Sequence, residues 1–233
     1  MSTELELAPV LPIVLMGPPG SGKGTQAKLL ASKDPSIRHV STGDLFRREI
    51  ASGSTLGLNL KGILDAGRLV SDEITNEVFE SQVRVLLSDP VVRVLILDGY
   101  PRTGIQASFL LDLSHKNNRL SDPRVVELVV DEDELVHRLS GRLVNPRTGR
   151  VYHSVLNPPV RPGFCDDDGG ALVSRADDQP ETVRKRFRIY SDERNGIVGA
   201  LGGETILNRL DGVGELSGIQ RQLNDFIRSS LRS

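Results

Sequence analysis

Gly17-Pro-Pro-Gly-Ser-Gly-Lys-Gly-Thr25 follows the apolar run Leu11 to Met16 and opens a helical pattern. A strand, a glycine loop and a lysine in that order make a phosphate cradle. Glycines let consecutive backbone N–H groups turn inward with no Cβ in the way, the helix starting near Lys23 adds its positive end, and the ammonium adds a full charge. The strict P-loop pattern places Ser or Thr directly after the lysine to hold magnesium. Here Gly24 takes that place and Thr25 comes one later. The stretch predicts binding of a nucleoside triphosphate.

The rest of the composition narrows the class. A chain of 233 residues suffices for one large domain or a core carrying insertions. The formal charge of −2 gives no electrostatic case for nucleic acid or for membrane surfaces. No apolar run approaches the ~20 residues that cross a bilayer. Met1 to Pro12 carries Glu4 and Glu6 and no basic residue, against a secretory signal or an arginine-rich transit peptide. The terminal Leu231-Arg-Ser233 is not a peroxisomal Ser-Lys-Leu. A single cysteine, Cys165, cannot form an intramolecular disulfide. A soluble, cytoplasmic protein is expected, with the mitochondrial intermembrane space as an alternative, and nothing demands a partner subunit, so a monomer is expected.

Short apolar runs alternate with longer helical patterns, the signature of a parallel sheet covered by helices. Strands are predicted at 11–16, 38–41, 93–97, 125–130 and 205–210. Helices are predicted at 23–33, 43–52, 55–66, 71–88, 104–112, 132–140, 180–198 and 215–231. From Gly141 to Asp178 the text turns rich in Pro, Gly, Asp and Tyr and loses helical period. That is far longer than an ordinary connection of ~4–6 residues. Tyr152, Val155, Leu156 and Phe164 supply the apolar matter of a small β-rich lid.

The run Val94-Leu-Ile-Leu97 ends in Asp98, and in a P-loop protein the strand beside the loop ends in a carboxylate that reaches magnesium, often through water. Asp98-Gly-Tyr-Pro-Arg102 brings an arginine to the same sheet edge, where such folds bind ligands. Arg138 and Arg142 are four apart and share a helix face running into the lid. On the helix after the lid, Val183, Phe187 and Tyr190 form an apolar stripe that Arg186 flanks, whereas Arg184, Lys185 and Arg188 point away. Arg175 stands beside Asp177 and Asp178 at the lid's far end. Singly, each arginine reads as a surface ion pair; together, at both hinges of one insert, they suggest a converging cationic clamp. Phosphoryl transfer needs such a clamp, because charge spreads over several phosphate oxygens and the enzyme mainly positions and neutralises. Ser41-Thr-Gly-Asp-Leu-Phe-Arg47 and Ala66-Gly-Arg-Leu-Val-Ser-Asp-Glu73 read as helix boundaries. His39, His115, His137 and His153 show no metal spacing and receive no chemistry.

Taken in order, these motifs resemble the adenylate kinases of the long-lid type, over nearly the whole chain from Ile13 to the last helix. Members share the Gly-Lys-Gly-Thr loop, so the shifted Thr25 is expected for them. They also share the motifs found here at Ser41 to Asp44, Asp98 to Arg102, Gly141 to His153 and Asp177 to Arg186. The resemblance implies an α/β fold: a P-loop NTPase-type parallel sheet of about five strands flanked by helices, with an AMP-binding helical insert and a small β-rich lid insert. The core would comprise 1–41, 71–140 and 179–233, the AMP-binding insert 42–70 and the lid 141–178. It implies magnesium-dependent transfer of the terminal phosphoryl group of ATP to AMP, giving two ADP. Gly20, Ser21, Gly22, Lys23, Gly24 and Thr25 would cradle the donor phosphates, with Arg138, Val151, Tyr152 and Gly214 toward the donor nucleoside. Thr42, Arg47, Arg68, Leu69, Val70, Gly99, Tyr100, Pro101, Arg102 and Gln106 would form the AMP site. In it, Arg47 and Arg102 would grip the phosphate and Gln106 would read the adenine edge. Lys23, Arg102, Arg142, Arg175 and Arg186 would act on the transferring group, the last two also touching AMP, and Asp98 would hold magnesium through water.

Two departures from the family pattern stand out. Some long-lid members carry a four-cysteine zinc site, and the matching positions here are Asn145, Thr148, Cys165 and Asp168. A structural zinc site needs four good donors, so hydrogen bonds rather than zinc are expected to staple this lid. Gly214 stands where bacterial relatives often carry a side chain, which leaves the choice between ATP and GTP open. The alternatives are a GTP:AMP or pyrimidine nucleotide kinase and a nucleotide-dependent switch without turnover. Gln106 favours adenine over pyrimidines, and a switch would have no use for Arg47, Arg102 or the lid arginines.

Overall fold

The structure, a computed structural model, describes residues 7–232. Glu4, Glu6 and Ser233, on which the readings of the two termini drew, lie outside the described residues.

Leu11–Met16 forms strand β1, and all of it is buried. A strand buried on both faces needs cover on both, and its alternating side chains divide the core in two. Val14 and Met16 join Leu95 and Leu97 in one apolar cluster, while Ile13 and Leu15 join Val94 and Ile96 in the other. Five parallel strands make the sheet: β1, Ile37–Ser41 (β2), Val94–Asp98 (β3), Arg124–Val129 (β4) and Leu207–Asp211 (β7), in the order β2-β3-β1-β4-β7. Helices Asp72–Leu87 (α4), Gly104–Lys116 (α5) and Pro180–Leu201 (α7) cover the first face through Phe79, Val83, Leu110, Ile197 and Val198. Helices Lys23–Lys33 (α1) and Leu216–Ser230 (α8) cover the second through Ala27, Leu30, Leu223 and Ile227. The predicted α/β fold with its five-stranded parallel sheet is the one observed.

Two excursions leave this core. Phe46 of Thr42–Ala51 (α2) and Leu60 of Thr55–Asp65 (α3) build a small apolar cluster with Val70 of the following loop, and Ile74 and Val78 of α4 pack against it. Beyond Glu132–Ser140 (α6), Arg142–Val144 (β5) and Val151–His153 (β6) pair antiparallel, and single bridges tie Val144 to Val173 and Phe164 to Ala171. The polar residues at the helix starts act as caps. Ser41, Ser54, Ser71, Thr103 and Asp131 each accept a backbone N–H three residues on, opening α2, α3, α4, α5 and α6.

Two helices outrun their predicted ends. α5 continues to Lys116 rather than 112, and α7 to Leu201 rather than 198. α7 runs on through Gly199, and Gly196 within it lies at a close crossing, where a Cβ on Gly104 would come 3.2 Å from its carbonyl oxygen. α7 ends at Gly202, whose φ is 121°.

Candidate active site

β1 lies between β3 and β4, the point where strand order reverses, and the carboxyl ends of these strands open a crevice there. The phosphate loop leaves β1 into that crevice. Gly17 holds φ 137°, and a Cβ on it would sit 2.7 Å from the Leu128 carbonyl oxygen of β4, so only glycine lets the loop start so close to the sheet. Gly22, in the left-handed region, caps α1. Lys23 Nζ folds over the loop, donating to the carbonyls of Gly17 at 2.7 Å and Pro18 at 2.9 Å and lying 3.3 Å from Ser21 Oγ.

The parallel register sets Leu15 of β1 opposite Asp98 of β3, which brings the carboxylate beside the loop. A Cβ on Gly24 would lie 3.1 Å from Asp98 Oδ2, so a serine or threonine at that position would crowd the carboxylate. Asp98 Oδ2 also lies 3.2 Å from His39 Nε2. Burial alone would raise the Asp98 pKa, but the His39 hydrogen bond and the Lys23 charge outweigh it and hold it at about 2. Burial pushes Lys23 the other way, down to about 8, with Arg102, Arg186 and Arg142 adding to the effect against Asp98. His39, given no chemistry from sequence, reaches Asp98 because β2 lies beside β3. No local spacing announces that.

A cavity of about 810 Å³ joins the loop, the lid and the α2 insert. Lys23, Arg47, Arg102, Arg142, Arg175 and Arg186 all line it, together with Asp44 and Asp98. Gly20 to Thr25, Leu69, Gly99, Pro101, Arg138, Val151, Tyr152 and Gly214 line it as well. Carboxylates set the aim of the arginines. Asp178 takes Arg142 Nε at 2.7 Å and pairs with Arg142 Nη2; Asp177 takes Arg186 Nη1 at 2.7 Å; Asp44 takes Arg47 Nη2 at 2.6 Å. Arg102 Nε donates to the Gly99 carbonyl at 2.9 Å, and Arg138 holds Glu134 Oε1 at 2.6 Å and the Gly212 carbonyl at 2.9 Å. Despite these partners the cations strain against one another. Burial and then Arg186 bring Arg102 down to about 10, and burial with Arg142 and Arg47 does the same to Arg175. An anion placed among them would relieve both.

Thr42, Arg68, Val70, Tyr100 and Gln106 do not line the cavity. Thr42 Oγ1 donates to the Gly99 carbonyl at 2.7 Å, holding the Asp98 loop. Arg68 is exposed and Val70 belongs to the small cluster of the insert. Tyr100 is buried on the Phe79 ring and its hydroxyl donates to Asn76 Oδ1 at 2.7 Å. Gln106, also buried, accepts from the Arg102 N–H at 2.8 Å and donates to Asp72 Oδ1 at 2.7 Å. Sequence spacing finds the neighbourhood of the cavity but does not tell its lining from the layer behind it.

In the lid, the four positions matching a zinc site are knit by hydrogen bonds. Asn145 Nδ2 donates to Asp168 Oδ1 at 2.7 Å, its Oδ1 accepts from the N–H of Arg147 at 2.9 Å and of Thr148 at 3.3 Å, and Arg147 also pairs with Asp168. The Tyr152 hydroxyl lies 3.6 Å from Cys165 Sγ and accepts the Asp166 N–H at 2.8 Å. The Gly170 N–H, followed by Arg147, keeps Asp168 well below the usual carboxylate range.

A parallel α/β sheet with this loop, a carboxylate beside it and a ring of half-buried cations defines a P-loop nucleotide-binding protein equipped for phosphoryl transfer. A family model described as "Adenylate kinase" matches residues 15–203. A protein named "Adenylate kinase" from Anaeromyxobacter dehalogenans is 47% identical over 208 residues, 89% of this chain and 94% of that one. Proteins of the same name from Chloroherpeton thalassium and Staphylococcus aureus are 39% identical over 220 residues and 38% over 215, covering 94% and 92% of this chain and 99% and 98% of theirs. The chain belongs to the adenylate kinase family, and is therefore a nucleoside monophosphate kinase. These relatives are bacterial, and the mitochondrial alternative is not borne out. Among the described residues no helix is long and apolar enough to cross a membrane.

Proposed function

We propose that this chain transfers the terminal phosphoryl group of ATP to AMP, giving two ADP, as a cytoplasmic monomer of the long-lid type that serves adenine nucleotide homeostasis. The ring of half-buried cations on one cavity carries this reading: six cationic side chains converge from the loop, the insert, the sheet edge and both lid hinges. A binding module for one nucleotide has no need of so many.

Within this reading, 1–41, 71–140 and 179–233 form the core, 42–70 the acceptor insert and 141–178 the lid. Gly20 to Thr25 cradle the donor phosphates, with Arg138, Val151, Tyr152 and Gly214 toward its nucleoside. Arg47 and Arg102 hold the acceptor phosphate, with Leu69, Gly99 and Pro101 beside it. Thr42, Arg68, Val70 and Tyr100 support that wall from behind. Lys23, Arg142, Arg175 and Arg186 take up charge on the transferring group, which favours the transition state over either ground state. Gln106 lies behind the cavity lining here, holding the Arg102 backbone and Asp72; its remaining amide hydrogen and carbonyl lone pair would read an adenine edge only where the acceptor wall opens onto it. The donor set suits a hard divalent cation: an ionised carboxylate, Asp98, with the Thr25 hydroxyl on the same cavity. Magnesium held there would neutralise phosphate charge and orient the donor.

Calorimetric titration tests the two-site arrangement. ATP and AMP are each expected to bind once, without displacing each other. Mutual displacement at a single site would overturn it.

A further inference from the structure

Lys28 has no part in the scheme above, yet its ammonium sits where the core, the lid and the acceptor insert meet. It lies on α1, five residues after Lys23, and lines the same cavity. Its Nζ donates to the Gly149 carbonyl at 2.8 Å, across 121 residues of sequence. The same Nζ is 3.6 Å from Asp44 Oδ2 of α2, whose other oxygen takes Arg47. An ammonium has three hydrogens and no fixed plane, so it can serve both partners at once.

The lid side of this contact is built to receive it. Gly149 holds φ 68° in the turn between β5 and β6, and its N–H donates to the Asn145 carbonyl at 2.8 Å. The Asn145 side chain in turn is fixed to Asp168. The staple in the zinc-site position therefore also fixes the turn that presents the Gly149 carbonyl. A Cβ on Gly149 would stand 3.0 Å from Lys28 Nζ, so the turn approaches the lysine with little clearance.

We propose that Lys28 is a latch that holds the lid turn and the acceptor insert on α1, so that the two close over the cavity together. It is a positioning residue: it acts on nucleotides through the lid and through Asp44 and Arg47. This rests on the proposed function for its kinetic consequence, but not for its geometry. When the lid swings away the Gly149 bond must break, so the latch favours the closed form and opposes product release.

The test pairs Lys28→Met with Lys28→Arg, in protein carrying Leu58→Cys on the insert and Val160→Cys on the lid. Both positions are exposed and Cys165 is buried out of reach of dyes, so the two new thiols take a fluorescence-transfer pair. In nucleotide-free protein, Lys28→Met is expected to shift the population toward the longer lid-to-insert distance, lowering the closed-to-open ratio about three- to tenfold. KM for both nucleotides should rise by a similar factor while kcat does not fall, and Lys28→Arg should recover most of the shift. Unchanged distances in Lys28→Met would overturn the latch, as would a KM rise for one nucleotide with no change in distance, which would mark direct substrate contact. An unaltered melting curve shows that the variant is folded. Wild-type protein that forms no ADP would refute the proposed function, while the distances would still decide the latch.

Discussion

Lys23 carries the most exposed consequence at the level of single residues. Its pKa of about 8 in the free protein means that the cation the donor phosphates need is lost just above neutrality. Only the protonated form contributes its charge to ATP binding, so affinity should be level below pH 7 and weaken through pH 8, about tenfold by pH 9. Titrations of ATP at pH 7 and pH 9 check this, and Lys23→Met should flatten the profile. Arg102 stands at the sheet edge with its backbone fixed by Gln106. Arg102→Ala should weaken AMP binding by tenfold or more at about 1.5–3 kcal/mol for a charge-assisted bond, with ATP binding largely intact. Calorimetry reads both, and unchanged AMP affinity would remove Arg102 from the acceptor site. For Gln106→Leu the expected cost is about 1–3 kcal/mol in preference for AMP over CMP. An unchanged ratio would reduce Gln106 to a support for the Arg102 loop.

At the level of elements, α7 matters most, because it carries Arg186 to the cavity. Buried Glu127 of β4 anchors it: Tyr190 Oη donates to Oε1 at 2.5 Å, and Arg194 donates from Nε at 2.6 Å and from Nη2 at 2.7 Å. Glu127→Ala removes the acceptor that Tyr190 and Arg194 share, while Arg194 keeps Glu204, and should cost about 1–3 kcal/mol, measured by urea unfolding. The lid makes a different prediction. Its staple is Asn145, Arg147 and the Gly170 N–H on Asp168. Treatment with EDTA followed by magnesium should leave the melting curve where it was, whereas Asp168→Ala should lower it. A large drop with EDTA alone would point to a metal through Cys165 and Asp168.

For the molecule as a whole, the sequence is most informative where the physics is local. The strand at 11–16 and the helices at 23–33 and 132–140 read to the residue, because apolar periodicity and cap residues bound them. The ends of α5 and α7 do not: α5 runs on to Lys116, and α7 passes through Gly199 to end at Gly202, whose positive φ stops it. The same division runs through the site. Loop, carboxylate and arginines announce themselves as residue types in order. Their partners do not, because Arg142 to Asp178 and His39 to Asp98 are products of strand order and chain return. The buried placement of Tyr100 and Gln106 was equally hidden, since their motif adjoins the cavity on one side and the α4 face on the other.

ADP formation from ATP, measured with AMP, CMP, UMP and GMP each offered as acceptor, tests the proposed activity most directly. Turnover with AMP, and little with the other three, is the expected result. Folded protein that binds ATP but forms ADP with none of the four would contradict it.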